Sequence, residues 1–298
     1  MVEDPGTPPA PEPSTTTIPV AARVHLAHAA VQRLAEDAGV SLLHLKGPAV
    51  LSGLRPVGRK SSDVDVLVRP GDYTRFERAL REQGWAPSSH LETGSAFAHA
   101  ANWWHPHWGY VDVHAHWPGP TVSPEDVFAA FSEESFDQPI AHLPCPVPGR
   151  TAQILVLLLH TARGSNSADL DLAWHAQPEE QRRLVLELGA RLGAHVAIAA
   201  ALGDLDTHRD DTSYDLWRFY REGGGRLDEW RARFRAARTP SARLHVLLFA
   251  ARVNRDHLAV ELGHTPARTE VGRAQLTRVG TLSREAWGLL VGRLRGRR

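Results

Sequence analysis

The hexapeptide Asp63-Val64-Asp65-Val66-Leu67-Val68 decides how this chain is read. Its β-branched residues favour a strand, and in a strand side chains two apart share a face. Asp63 and Asp65 therefore project together, while Val64, Val66 and Val68 turn the other way into packing. Two carboxylates side by side repel, and burying them is costly without a cation between them. A hard divalent cation with oxygen ligands answers that need, and Mg²⁺ favours few carboxylates plus the phosphates of a ligand.

The flanks repeat the theme. Downstream, Gly109-Tyr110-Val111-Asp112-Val113-His114-Ala115-His116 alternates again, with Asp112, His114 and His116 on one face. If this strand neighbours the first, Asp112 joins Asp63 and Asp65. Three carboxylates can hold two metal ions, an arrangement suited to in-line displacement at phosphorus. Upstream, Ser41–Leu45 reads as a short strand, and Lys46-Gly47-Pro48 as its junction with a short helix. Free backbone N–H groups at such a junction attract anions, and Gly47 lets the backbone approach closely. Lys46 adds a point charge, and Arg59, Lys60, Ser61 and Ser62 add donors just before the aspartates. Of the 34 basic residues only Lys46 and Lys60 are lysine, both in this stretch.

Leu45-Lys46-Gly47, Arg59, Asp63-Val64-Asp65 and Val111-Asp112-Val113-His114 together resemble the uncharacterised nucleotidyltransferase family of the DNA polymerase β-like superfamily, over roughly residues 40–120. That resemblance implies a catalytic trio of Asp63, Asp65 and Asp112 as metal ligands, with Asp112 assisting deprotonation of an acceptor hydroxyl. It implies Mg²⁺, two ions, with Mn²⁺ as a substitute, and a nucleoside triphosphate such as ATP bound by Lys46, Gly47, Arg59, Lys60 and Ser62. The expected reaction moves a nucleoside monophosphate to an acceptor with release of pyrophosphate. One departure stands out: the superfamily's Gly-Ser pair is Gly47-Pro48 here, so the cradle lacks one hydroxyl and one N–H.

The expected fold is α+β. Residues 1–20 form a Pro-rich, disordered segment; 21–120 form the nucleotidyltransferase-like core, a mixed sheet flanked by helices; 121–298 form a helical domain. Helical spacing begins near Ala22, and Gly39 and Gly84 suit helix ends. Asp72 is placed to cap the helix carrying Tyr73, Phe76 and Leu80. Residues 151–162 are apolar on most sides, as in a buried helix, and further helices are expected at 179–192, 194–203, 213–221, 227–237, 241–253 and 283–294.

Composition narrows the partners. Lys+Arg and Asp+Glu both number 34 among 298 residues, so no global field draws the chain to a long nucleic acid, and a small-molecule or peptide acceptor is favoured. A single cysteine, Cys145, excludes a disulfide framework within the chain and points to a reducing compartment. No apolar run reaches membrane-spanning length, and no signal-peptide pattern opens the chain, so a cytoplasmic location is expected.

Other readings stay open. The Pro48 departure also fits a non-catalytic nucleotide-binding partner or sensor. Asp112, His114 and His116 fit a metal-dependent hydrolase using zinc or iron. His114 and His160 are candidates for supporting the site from behind the carboxylates. His160, Arg163 and Asp171 either face the cleft, as the resemblance implies for a histidine and a later aspartate in this region, or amount to a core histidine and an ordinary capping aspartate. Trp103, Trp104, Trp108 and Trp117 form either a stacking platform or packing between the two halves.

Overall fold

The computed structural model describes residues 18–91, 99–164, 168–237 and 239–253, then 258, 262, 264, 266–278 and 280. The expected disorder of the N-terminal segment falls almost entirely on residues 1–17, and the helix expected at 283–294 on the chain end; both lie outside the described residues.

The chain opens with helix α1 (Val20–Asp37), whose buried stripe of Val24, Ala27, Val31 and Ala35 follows helical spacing. Gly39, at φ +61°, turns the chain into strand β1 (Leu42–His44). Strand β2 (Asp63–Val68) leads into helix α2 (Tyr73–Glu82), then short β3 (Ala86–Pro87), β4 (Ala100–His105) and β5 (Gly109–His114). The sheet order is β1-β2-β5-β4-β3. Only β2 and β5 run parallel; the other pairings are antiparallel. The sheet is thus mixed, and the fold α+β, as expected.

The two sheet faces do different work. Val64, Val66, Val68, Val111 and Val113 pack with Trp103 against α1 and against Phe76 and Leu80 of α2. Each such side chain contributes about 1.5–3 kcal/mol on leaving water, enough to fix which way β2 faces. The aspartates are then forced to the other side, where Leu43, Leu45 and Leu67 join a second core built by the later helices. Asp72 holds the N-cap position of α2, but its side chain makes no capping bond there. Its carboxylate instead accepts from the Ser41 backbone N–H at 3.1 Å and from Arg69 Nε at 2.9 Å, tying the end of β2 to the start of β1.

The second half is mostly helical. Helix α3 (Pro124–Ser132) starts at Ser123, whose hydroxyl accepts from the Asp126 N–H. Helix α4 (Arg150–Thr161) is buried on nearly every side. A short helix (Ala168–Leu170) and a π-helical turn (Asp171–His175) precede α5 (Glu179–Arg191), α6 (His195–Leu202), α7 (Tyr214–Glu222), α8 (Arg226–Ala236) and α9 (Pro240–Ala251). Between α3 and α4 lies a hairpin that the sequence reading missed, β6 (Phe136–Ile140) with β7 (Leu143–Val147). Its Ile140, Cys145 and Val147 close over Ala49 beside the Lys46-Gly47 turn. Among the described residues no helix is long and apolar enough to cross a membrane.

Candidate active site

The parallel β2–β5 register sets Asp65 directly opposite Asp112, and Asp63 opposite Tyr110. One row further, Asn102 of β4 pairs with Asp112. The row Asp65-Asp112-Asn102 therefore crosses three strands on the face turned toward the helical half.

Asp65 is only 2% exposed. Two carboxylates about 4 Å apart repel by roughly 4 kcal/mol at an effective dielectric near 20, so the site needs positive charge and donors. Lys46 provides the charge: its Nζ lies 2.8 Å from Asp65 Oδ1, with the side chain 14% exposed. His114 Nε2 donates to the same oxygen at 3.0 Å. That tautomer leaves His114 Nδ1 as a buried atom without a partner. Lys46 and the His114 bond hold the Asp65 carboxyl far below the usual carboxylate range despite its burial. Asp112 goes the other way. Burial, then the charges of Asp65 and Asp63, push it up to about 7, with a hydrogen bond from Asn102 Nδ2 opposing the shift. Burial and then Asp65 also raise Asp63, whose Oδ1 accepts from Ser61 Oγ at 3.3 Å and Ser62 Oγ at 3.5 Å.

The donor set fits a divalent cation. Single ligand atoms of Asp65, Asp112 and His114 lie within 4.8 Å of one another. Carboxylate oxygens suit Mg²⁺ and Mn²⁺, and imidazole adds tolerance for Mn²⁺. Asp63, an expected ligand, and His116 stand outside this group; Asp63 lies two residues before Asp65 on the strand, opposite Tyr110. The His116 ring lies 6.3 Å from that of His99, a histidine the sequence reading did not single out.

The Lys46-Gly47 turn is built as expected and seated from behind. Gly47 has φ +57°, and a Cβ there would come within 3.1 Å of Ser61 Oγ. The left-handed backbone favours glycine, and any larger side chain would also press on Ser61. Beneath it, His44 Nε2 donates to Gln32 Oε1 at 3.1 Å, and His28 meets His44 through their Nδ1 atoms at 2.8 Å. Burial lowers the pKa of both histidines, His28 to about 3, so this pair is neutral packing. Pro48 is anchored through its carbonyl, which accepts from Gln138 Nε2 of the hairpin at 2.6 Å.

Not every candidate reaches the carboxylates. Arg59 Nε lies 3.2 Å from Asp169 Oδ1, and Arg55 Nε 3.3 Å from the same atom, so these arginines clamp residues 51–62 to the helical half. Lys60 is exposed, and the exposed Ser62 reaches, of the three carboxylates, only Asp63. His160 is part-buried and kept neutral, its pKa lowered to about 3 by burial first and then by Lys46 and Arg163. Asp171 is exposed; the buried aspartate of that segment is Asp169. Trp103 and Trp117 are fully buried, which makes them packing, whereas Trp104 stands exposed opposite Tyr110 on the carboxylate face. Asn102, His99 and Asp169 were missed because each acts through a partner distant in sequence. The period-2 alternation of β4 was the one available signal, and it places Asn102 on the active face.

The family described as "Uncharacterised nucleotidyltransferase" matches residues 15–203. No curated protein matches. Among solved structures, the solution structure of the antibiotic-resistance factor ANT(2'')-Ia shares 18% identity at a TM-score of 0.38, covering 62% of this chain and 96% of that one. The lincosamide antibiotic adenylyltransferase LnuA, bound to lincomycin, shares 16% at 0.33, covering 55% and 94%. ANT(2'')-Ia in complex with adenylyl-2''-tobramycin shares 15% at 0.37, covering 62% and 98%.

Proposed function

Because the chain belongs to the uncharacterised nucleotidyltransferase family, we propose that it transfers a nucleoside monophosphate from a nucleoside triphosphate to a hydroxyl of a small-molecule acceptor, releasing pyrophosphate. The observation that carries this reading is the row of Asp65 and Asp112, opposed in parallel register, with Lys46 bonded to Asp65.

Asp63, Asp65 and Asp112 would hold Mg²⁺ or Mn²⁺. When bound, such ions neutralise charge on the phosphates and favour the attacking and leaving oxygens. His114 fixes the orientation of Asp65 through its Nε2–H. Asn102 fixes Asp112 in the same way. Lys46 and the Gly47 turn receive phosphate oxygens. Asp112, ionised as a metal ligand must be, assists removal of the acceptor proton, the role the family resemblance implies for it. The acceptor oxygen then bonds to the α-phosphorus as the bond to pyrophosphate breaks. Holding the two substrates in line, with charge placed in advance, supplies most of the acceleration.

The exposed Trp104 and Tyr110 adjoin Asp63 on the same face and offer flat apolar surface to an acceptor. The experiment is incubation with α-labelled nucleoside triphosphates, divalent cation and a panel of hydroxylated small molecules. Label should move to an acceptor, and D63N and D65N should lower the rate by at least about a hundredfold. Label transfer unchanged in either variant would refute the assignment.

A further inference from the structure

Arg163, just beyond α4, is a cation without an anion. Its guanidinium lies 5.0 Å from the Trp117 ring, the same indole that Lys46 lies over at 5.8 Å. Nη1 donates to His99 Nε2 at 2.7 Å and Nη2 to His160 Nδ1 at 3.4 Å. Nε is buried without a partner. A guanidinium has five N–H donors in a fixed fork, so most of them go unused. Among the described residues, no carboxylate forms an ion pair with it. Three other shielded arginines do have one: Arg55 and Arg59 share Asp169, and Arg233 holds Glu229 at 3.0 Å.

Both imidazole partners are held neutral by burial first, so they accept from Arg163 without balancing its charge. Desolvating an unbalanced guanidinium costs several kcal/mol unless an anion completes the set. Asp65 and Asp112 lie close enough to act on its charge, which places it beside the carboxylate row.

We propose that Arg163 binds the phosphates of the nucleoside triphosphate from the helical half, while Lys46 approaches them from the sheet. This rests on the nucleotidyl-transfer reading and deepens it. The Gly47-Pro48 turn lacks a hydroxyl and an N–H; a planar fork that binds phosphate oxygens in pairs replaces those donors from across the site. His99 and His160 hold the fork in place, and Trp117 supports its face.

The test is calorimetric titration of the full-length protein with inorganic pyrophosphate and with ATP, each with Mg²⁺. R163Q should weaken both by about ten- to a hundredfold, with R163K between it and the wild type. Equal affinities in R163Q and wild type would overturn the Arg163 assignment and leave the transfer reading standing. A wild type that binds neither ligand would remove both. Should R163Q fail to fold, the Arg163 Nε–H resonance of ¹⁵N-labelled wild type, assigned by its loss in R163K, decides. It should shift when pyrophosphate binds, and no shift at saturation would overturn the proposal.

Discussion

At the residue scale the site is a set of opposed charges in which each group depends on the next. Lys46 is the pivot, because Asp65 is buried and, among the described residues, Lys46 is the one permanent cation paired with it. K46A should therefore destabilise the fold by about 3 kcal/mol, read as a lower urea midpoint, since an unpaired buried carboxylate is left behind. Asp112 makes a separate prediction. Its pKa is raised to about 7 in the cation-free protein, and a metal ligand must be ionised. Binding of Mn²⁺ at pH 6 should release close to one proton from Asp112, and release should vanish above pH 8. Titration calorimetry in buffers of different ionisation enthalpy reads this directly. The stability sign follows: a carboxyl whose pKa is raised on folding contributes stability below its unfolded value near 4, which fades as pH rises through 7. Asp65 is shifted the opposite way and contributes stability above that value, which is lost in acid.

At the element scale, legibility in the sequence tracks local patterning. Strands β2 and β5 announce themselves because their valines alternate with polar residues, and that alternation also fixed which aspartates share a face. The β6–β7 hairpin hid for the opposite reason. Pro139 and Pro144 face each other in it, Pro146 interrupts β7, and prolines argue against strands. Its two-residue turn uses Ala141 at φ +49° and His142 at φ +65°, with none of the Gly or Asn that mark such turns. A turn built from the wrong residues is strained, so H142G should stabilise the protein by about 1 kcal/mol. No gain in melting temperature would count against that reading of the turn. Gly47 predicts the reverse. G47A should cost about 1–2 kcal/mol from the left-handed backbone alone, with the contact at Ser61 adding to it. It should also weaken nucleotide binding at the turn.

At the scale of the whole molecule, the sequence pointed to a small sheet core and a helical half. Which residues would bridge them was not visible. Such bridges are single long-range contacts with no periodicity to betray them. Asp169 is the example: it gathers Arg55 and Arg59 from more than a hundred residues away. Arg59 was expected to bind phosphate, from its place before the aspartates and from the family resemblance; its Nε pairs with Asp169. D169N should free both arginines and loosen residues 51–62, seen as faster amide exchange confined to that segment. Exchange unchanged there would show that the clamp does not order the loop. The core itself spans the halves, since Leu43, Leu45 and Leu67 of the sheet pack with Leu155 and Leu158 of α4. The carboxylate row thus lies under the helices, where Lys46, His114 and Arg163 meet.

The carboxylate row is expected to bind a divalent cation together with a nucleotide. Electron paramagnetic resonance of Mn²⁺, titrated into the protein with and without a non-hydrolysable ATP analogue, tests it most directly. Wild type should sequester Mn²⁺ more tightly when the analogue is present, and D65N and D112N, each folded by circular dichroism, should lose this nucleotide-dependent binding. Wild-type affinity retained in both variants would contradict it.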